Sequence, residues 1–214
     1  MKAVVVAHGD VVPQDRDEAA AAEVVIAADG GSLALERWGI VPHLVVGDLD
    51  SIGPQMAEAL GKRGAKVIPF PAAKDQSDLE LAMRYALETG ADEIVILGAF
   101  GGRVDHALAN AMLLCDPAYR GRDVRAVQGA TQVRAAHPNA TVELRGPVGS
   151  FVTLLPTRGD AGGIRTQGLR YALNGETLAF AGSRGLSNVI DSLPASVSIT
   201  SGVLLVIECA RVHE

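Results

Sequence analysis

The sequence predicts an α/β chain in which an N-terminal, doubly wound, mostly parallel sheet domain is followed by a C-terminal antiparallel β-sandwich. Two textures carry that reading. Through the first 130 residues short apolar runs alternate with helical stretches, the pattern of a parallel sheet covered on both faces. After that, helical periodicity stops and short β-rich runs broken by Gly, Pro and Asn take over. Length agrees, because 214 residues, 48% hydrophobic and 21% charged, can bury one large core or two small ones. The change of texture near Gly129–Gln132 predicts units at 1–130 and 131–214.

The first strands are predicted at Ala3–Ala7, Val24–Ala28, Leu44–Val46, Val67–Ile68, Ile94–Leu97 and Val124–Val127, each apolar on both faces. The clearest helix spans about Asp78 to Thr89, with Leu79, Ala82, Met83, Ala86 and Leu87 on one face. Ser77 and Glu80 form a capping box ahead of it, and Gly90 stops it. A second helix spans about Val104 to Cys115, with Leu108, Ala111 and Met112 at helical spacing. In the second half, Thr141–Leu144, Phe151–Leu155, Ser196–Thr200 and Val203–Ile207 read as strands. Ser201-Gly202 reads as a tight turn into Val203.

Composition excludes several classes. A net charge of -6 with no basic run weakens a nucleic-acid reading, because neutralising phosphates needs a basic face. No apolar stretch approaches a membrane span, and the short run after Met1 is too brief for a signal peptide. Cys115 and Cys209 have no metal-ligand or redox partner nearby in sequence and sit among apolar residues, so both are expected in the core of a cytoplasmic protein.

In a parallel sheet, ligands bind outside the carboxyl ends of the strands. Three predicted strands run there into polar loops: Asp29-Gly30-Gly31, then Gly47-Asp48-Leu49-Asp50-Ser51, then Gly98-Ala99-Phe100-Gly101-Gly102-Arg103. Asp48 and Asp50, two residues apart past a strand, offer the oxygen-only ligation that suits magnesium carried in with nucleotide phosphates. The same pair also fits an ordinary Asp-rich turn. Asp78, in the first turn of a helix that follows another strand, can complete a metal site or simply favour the helix dipole, and Asp75 lies just before it. The loop 98–102 ahead of a helix can make an anion site, to which Arg103 adds a bidentate phosphate donor, or can be a simple tight connection. It lacks the Gly-Lys-Ser/Thr of a Walker A loop and the Rossmann glycine spacing. His106 on the next helix is read as structural before catalytic.

Together these residues resemble the bacterial branch of the thiamine pyrophosphokinase family. The matching stretches are Ala28-Asp29-Gly30-Gly31, Gly47-Asp48-Leu49-Asp50-Ser51, Asp75-Gln76-Ser77-Asp78, Gly98-Ala99-Phe100-Gly101-Gly102-Arg103-Val104-Asp105-His106, Gly168-Leu169-Arg170-Tyr171 and Ser187-Asn188, in the family's order. The resemblance implies a homodimer with shared active sites, and transfer of pyrophosphate from ATP to the hydroxyl of thiamine, giving thiamine diphosphate and AMP. It implies magnesium on Asp48, Asp50 and Asp78. Asp29, Gly30, Gly31, Asp75, the loop with Gly98, Gly101 and Gly102, Arg103 and Asp105 would line the nucleotide and phosphate region, Arg103 and Asp105 with catalytic roles. Tyr171, Ser187 and Asn188 would contact thiamine, a flat cation suited to an aromatic face. The N-terminal loop reads His8-Gly9 where the family commonly has Asn-Gly.

Two alternatives keep the same scaffold: a pyrophosphokinase acting on a pterin alcohol, and a non-catalytic nucleotide- or thiamine-binding regulator. The Tyr171 and Ser187-Asn188 matches oppose the first, and the full set of carboxylates opposes the second. A metal-dependent phosphoesterase would usually add His ligands. Of five His, only His106 accompanies these motifs.

Overall fold

The structure is a computed structural model that describes residues 1–210. Two compact units divide the chain. The first comprises Met1–Asn110 with Arg122–Gly129, and the second Ala111–Gly121 with the chain from Ala130 onward.

The first unit carries six strands: β1 (Lys2–Val6), β2 (Val24–Ala28), β3 (Leu44–Gly47), β4 (Lys66–Pro69), β5 (Glu93–Leu97) and β6 (Asp123–Gln128). They lie in the order β6-β5-β1-β2-β3-β4, every pair parallel. Alternate side chains point to opposite faces. Val4, Val6, Val25, Ala27, Val45, Val95 and Leu97 pack with residues of α1 (Asp15–Ala20), α2 (Gly31–Trp38) and α3 (Gly53–Lys62). Helix α4 (Asp78–Glu88) packs on β1, β2 and β3 and buries Leu79, Leu81, Ala82, Met83 and Ala86. With both faces covered, the central strands have no polar side, as the apolar runs predict. Each fully buried Val, Leu or Ile there contributes about 1.5–3 kcal/mol of transfer free energy.

The start of α4 follows the expected cap only in part. Ser77 accepts the Glu80 N–H at 3.1 Å, while the Glu80 carboxylate pairs with Arg84. Helix α5 (Val104–Leu113) is shorter than expected, and its apolar spacing does not mark a buried face. Val104, Leu108 and Met112 are exposed, and the buried residue is Asn110, which lies two positions from Leu108 and so on the opposite side of the helix.

The second unit holds two antiparallel sheets. One has the order β12-β9-β14-β7, from β12 (Asn188–Val189), β9 (Phe151–Pro156), β14 (Leu204–Cys209) and β7 (Thr131–Ala136). The other has the order β11-β10-β13-β8, from β11 (Asn174–Leu178), β10 (Ala161–Gln167), β13 (Ala195–Ser198) and β8 (Thr141–Leu144). Val152, Leu154, Leu204 and Val206 of the first sheet share a core with Leu144, Ile164, Leu178 and Val197 of the second, which makes the pair a sandwich. The turn at Ser201-Gly202 carries the chain from β13 in one sheet to β14 in the other, so these two strands are not a hairpin. Cys115 is buried as expected, but Cys209, at the end of β14, is only partly buried.

Candidate active site

The carboxyl ends of β1, β2, β3 and β5 and the start of α4 surround a cavity of about 550 Å³. Its position follows from topology. From β1 the chain winds through β2, β3 and β4 to one edge, then returns to β5 on the other side of β1. The loops leaving β1 and β5 therefore diverge, and a crevice opens between them. Backbone bonds tie those loops together at their base, Gly9 N–H to Gly98 C=O at 2.8 Å and Asp10 N–H to Phe100 C=O at 2.7 Å. Gly98 must be glycine on two counts: its φ is +64°, and a Cβ would lie 2.5 Å from the Ala7 carbonyl oxygen.

Asp29 follows β2, Asp48 follows β3 and Asp78 opens α4. Their carboxylate oxygens lie within 4.8 Å of one another. Gly47 makes this convergence possible, because a Cβ there would sit 2.8 Å from Asp29 Cβ and 3.1 Å from the Asp78 carboxyl. Asp29 is buried, and desolvation raises its carboxyl pKa; Ser51 and the Gly30 N–H oppose that shift, and the charges of Asp78 and Asp50 add to it. Among the described residues, Asp29 Oδ1 and Asp78 Oδ1 are buried oxygens without a hydrogen bond. Lys74 Nζ lies 2.8 Å from Asp78 Oδ1, at ion-pair distance but outside hydrogen-bond geometry. Three converging carboxylates, two of them with an unsatisfied buried oxygen, fit a hard divalent cation such as magnesium.

This trio is not the one read from the sequence. Asp50 lines the same cavity but stands outside the close group. Asp48 Oδ1 accepts the Asp50 N–H at 3.2 Å, a local turn that carries residue 50 onward, and Asp50 then takes the Ser51 hydroxyl at 3.2 Å. Asp29 takes its place because β2 and β3 pair with Ala28 opposite Val46, which sets the two loops side by side.

Gly98, Gly101, Gly102 and Arg103 line the cavity. The Arg103 guanidinium is held by Asp105, Nε donating at 3.1 Å and an Nη to the second oxygen. That contact is the main reason the exposed Asp105 carboxyl drops to about 2. Four expected residues lie outside the lining. Asp105 and Asp75 are exposed, and Gly30 and Gly31 are buried, their missing Cβ atoms making room for the His8 ring and the Val6 carbonyl. Asp10, His8 and Asn110 line the cavity without having been singled out for it. Asn110 donates to the Ala99 carbonyl at 2.7 Å and so ties α5 to the Gly-rich loop. Its position one turn after His106 is the signal that could have found it.

In the second unit Tyr171 is 66% exposed, while the side chain of Asn188 is buried against the Tyr171 backbone. Ser187 has φ +58°, and its N–H reaches Thr153 Oγ1 at 3.2 Å.

Comparison with known proteins accounts for both units. A family model described as thiamin pyrophosphokinase, catalytic domain, matches residues 16–126. Another, thiamin pyrophosphokinase, vitamin B1 binding domain, matches residues 140–204. Thiamine pyrophosphokinase of Bacillus subtilis is 29% identical over 182 residues, 85% of each chain. A crystal structure of the Bacillus subtilis enzyme superimposes with a TM-score of 0.85 at 26% identity, covering 99% of this chain and 100% of that one. The Geobacillus thermodenitrificans enzyme gives 0.82 at 25% identity, covering 99% and 98%.

Proposed function

Starting from the fact that the chain belongs to the thiamine pyrophosphokinase family and is a thiamine diphosphokinase, we propose that it takes ATP as pyrophosphate donor, with magnesium on Asp29, Asp48 and Asp78, and releases AMP. The convergence of three carboxylates, two of them with an orphaned oxygen, at the mouth of a parallel sheet carries this reading. Asp50 adds a fourth carboxylate to the same cavity.

Magnesium bound there would supply charge neutralisation for phosphate oxygens in the transition state. The chain's own residues do the rest. Asp29, Asp48 and Asp78 fix the position of that charge, and Gly47 keeps the space between them clear. Arg103 exchanges Asp105 for a phosphate oxygen, and the 98–102 loop adds backbone donors. Asn110 holds that loop against α5 so that its donors are set before the substrate arrives, which removes reorganisation from the chemical step. Tyr171 offers its exposed ring to the thiamine cation. Asn188 fixes that ring's backbone.

The working form is a homodimer in which the second subunit supplies the Tyr171 region to each site. Among the described residues, no helix is long and apolar enough to cross a membrane. Incubating the protein with ATP, magnesium and a panel of hydroxylated heterocycles, with mass analysis, tests the acceptor. Thiamine alone should gain a pyrophosphate, and gain by a pterin alcohol instead would move the assignment to the rival pyrophosphokinase.

A further inference from the structure

We infer that Lys74 is a built-in counter-cation of the acid cluster, occupying the charge position of the metal in the nucleotide-free protein and displaced when the metal enters. This rests on the reading of Asp29, Asp48 and Asp78 as the metal site.

Three carboxylates within 4.8 Å repel one another and require positive charge nearby. Among the described residues, Lys74 is the one basic side chain in an ion pair with the trio, 2.8 Å from Asp78 Oδ1. Both side chains are largely shielded, at 14% and 27% exposure, so the attraction is less screened than that of a surface pair. The ammonium is aimed by its loop. Phe70 N–H bonds the Gly47 carbonyl at 2.7 Å, Lys74 N–H bonds the Ala72 carbonyl at 3.1 Å, and Nζ reaches the Pro71 carbonyl at 3.4 Å. Asp78 Oδ1, the oxygen that faces Lys74, is also one of the two buried carboxylate oxygens left without a hydrogen bond. A divalent ion bonded to that oxygen would repel the ammonium. Lys74 is therefore a positioning residue that lowers the affinity of the empty site for free metal and steadies the acids until a cation arrives.

Binding of Mn²⁺ alone, without nucleotide, tests this. The unbound ion is followed by electron paramagnetic resonance for the unaltered chain, Lys74→Met, Lys74→Arg and Asp48→Asn. Lys74→Met should bind Mn²⁺ at least about tenfold more tightly, because a like charge beside the site is gone, and Lys74→Arg should stay within about twofold of the unaltered chain. Equal or weaker binding by Lys74→Met overturns the role of Lys74, while loss of binding in Asp48→Asn shows the metal site itself to stand. If Asp48→Asn binds as well as the unaltered chain, the metal is elsewhere and both ideas fall. Should Lys74→Met be too unstable to handle without metal, melting temperatures decide: Mn²⁺ should raise that of Lys74→Met more than that of the unaltered chain, and an equal or smaller rise overturns the proposal.

Discussion

The side-chain amide of Asn188 holds both backbone polar groups of Tyr171: its Oδ1 accepts the Tyr171 N–H at 3.0 Å, and its Nδ2 donates to the Tyr171 carbonyl at 2.7 Å. The same Oδ1 takes the Val189 N–H at 2.8 Å. One buried side chain thus fixes the backbone beneath an exposed aromatic ring. Asn188→Ala should leave those groups unpaired, cost about 1–3 kcal/mol in stability and raise the KM for thiamine. Tyr171→Ala should raise that KM by about tenfold with little loss of stability, since the ring is exposed. Thermal melts beside thiamine titrations separate the two, and an Asn188→Ala chain that melts normally and keeps its KM would show the clamp to be idle.

The acid cluster sets a second expectation. Replacing Asp29, Asp48 or Asp78 by Asn should lower turnover by on the order of a hundredfold or more, while the melting point without metal holds or rises for Asp29→Asn and Asp48→Asn as repulsion is relieved. Gly47→Ala should do comparable damage without changing any charge, because its Cβ would press on Asp29 and Asp78. Near-full activity in Asp48→Asn or Asp78→Asn would place the metal elsewhere.

How much of this was legible in the sequence depended on range. Asp48 and Asp78 were readable because a carboxylate just past a strand or at a helix start has a position fixed by local structure. Asp29 was readable as a loop residue, but its entry into the trio depends on the pairing of β2 with β3 and on the empty space at Gly47, both tertiary. That Asp50 stands outside the close group depends on its turn, closed by Asp48, a detail that two-residue spacing cannot convey. The two sheets of the second unit follow from the alternation of Val197 and Ile199 with Ser196, Ser198 and Thr200, yet the sheet change at Ser201-Gly202 has the same local signal as a hairpin. In α5, periodicity located the helix but reversed its faces, since the polar Asn110 is the side chain it buries.

Arg103 gives a third prediction. Its ion pair with Asp105 is exposed, and such pairs add little to stability. Arg103→Ala should therefore leave the melting point unchanged and lower kcat/KM for ATP by roughly a hundredfold. A normal kcat/KM would remove Arg103 from phosphate binding.

His137 sets a pH dependence in the second unit. It is buried, neither ring nitrogen has a hydrogen-bond partner among the described residues, and desolvation, aided by the charges of Arg120 and Arg158 and opposed by Asp116, lowers its pKa. A base whose folded pKa is depressed binds fewer protons folded than unfolded, so stability should be fully present above the ordinary histidine value of about 6.5 and fall as pH drops below it. His137→Leu should melt with a shallower decline between about pH 6.5 and 5. An unchanged decline would assign the effect to other groups.

The central claim concerns which bond of ATP breaks. A kinase that transfers the terminal phosphate releases ADP, whereas a site that grips the triphosphate between an acid-held metal and a separate anion loop can align the acceptor with the middle phosphorus. ATP carrying label on both the β and γ phosphorus, mixed with magnesium, thiamine and the protein, distinguishes the two. Both labels should appear together on thiamine, with one unlabelled AMP released for each product molecule. Thiamine monophosphate carrying the γ label alone, with equal ADP, would contradict the proposal.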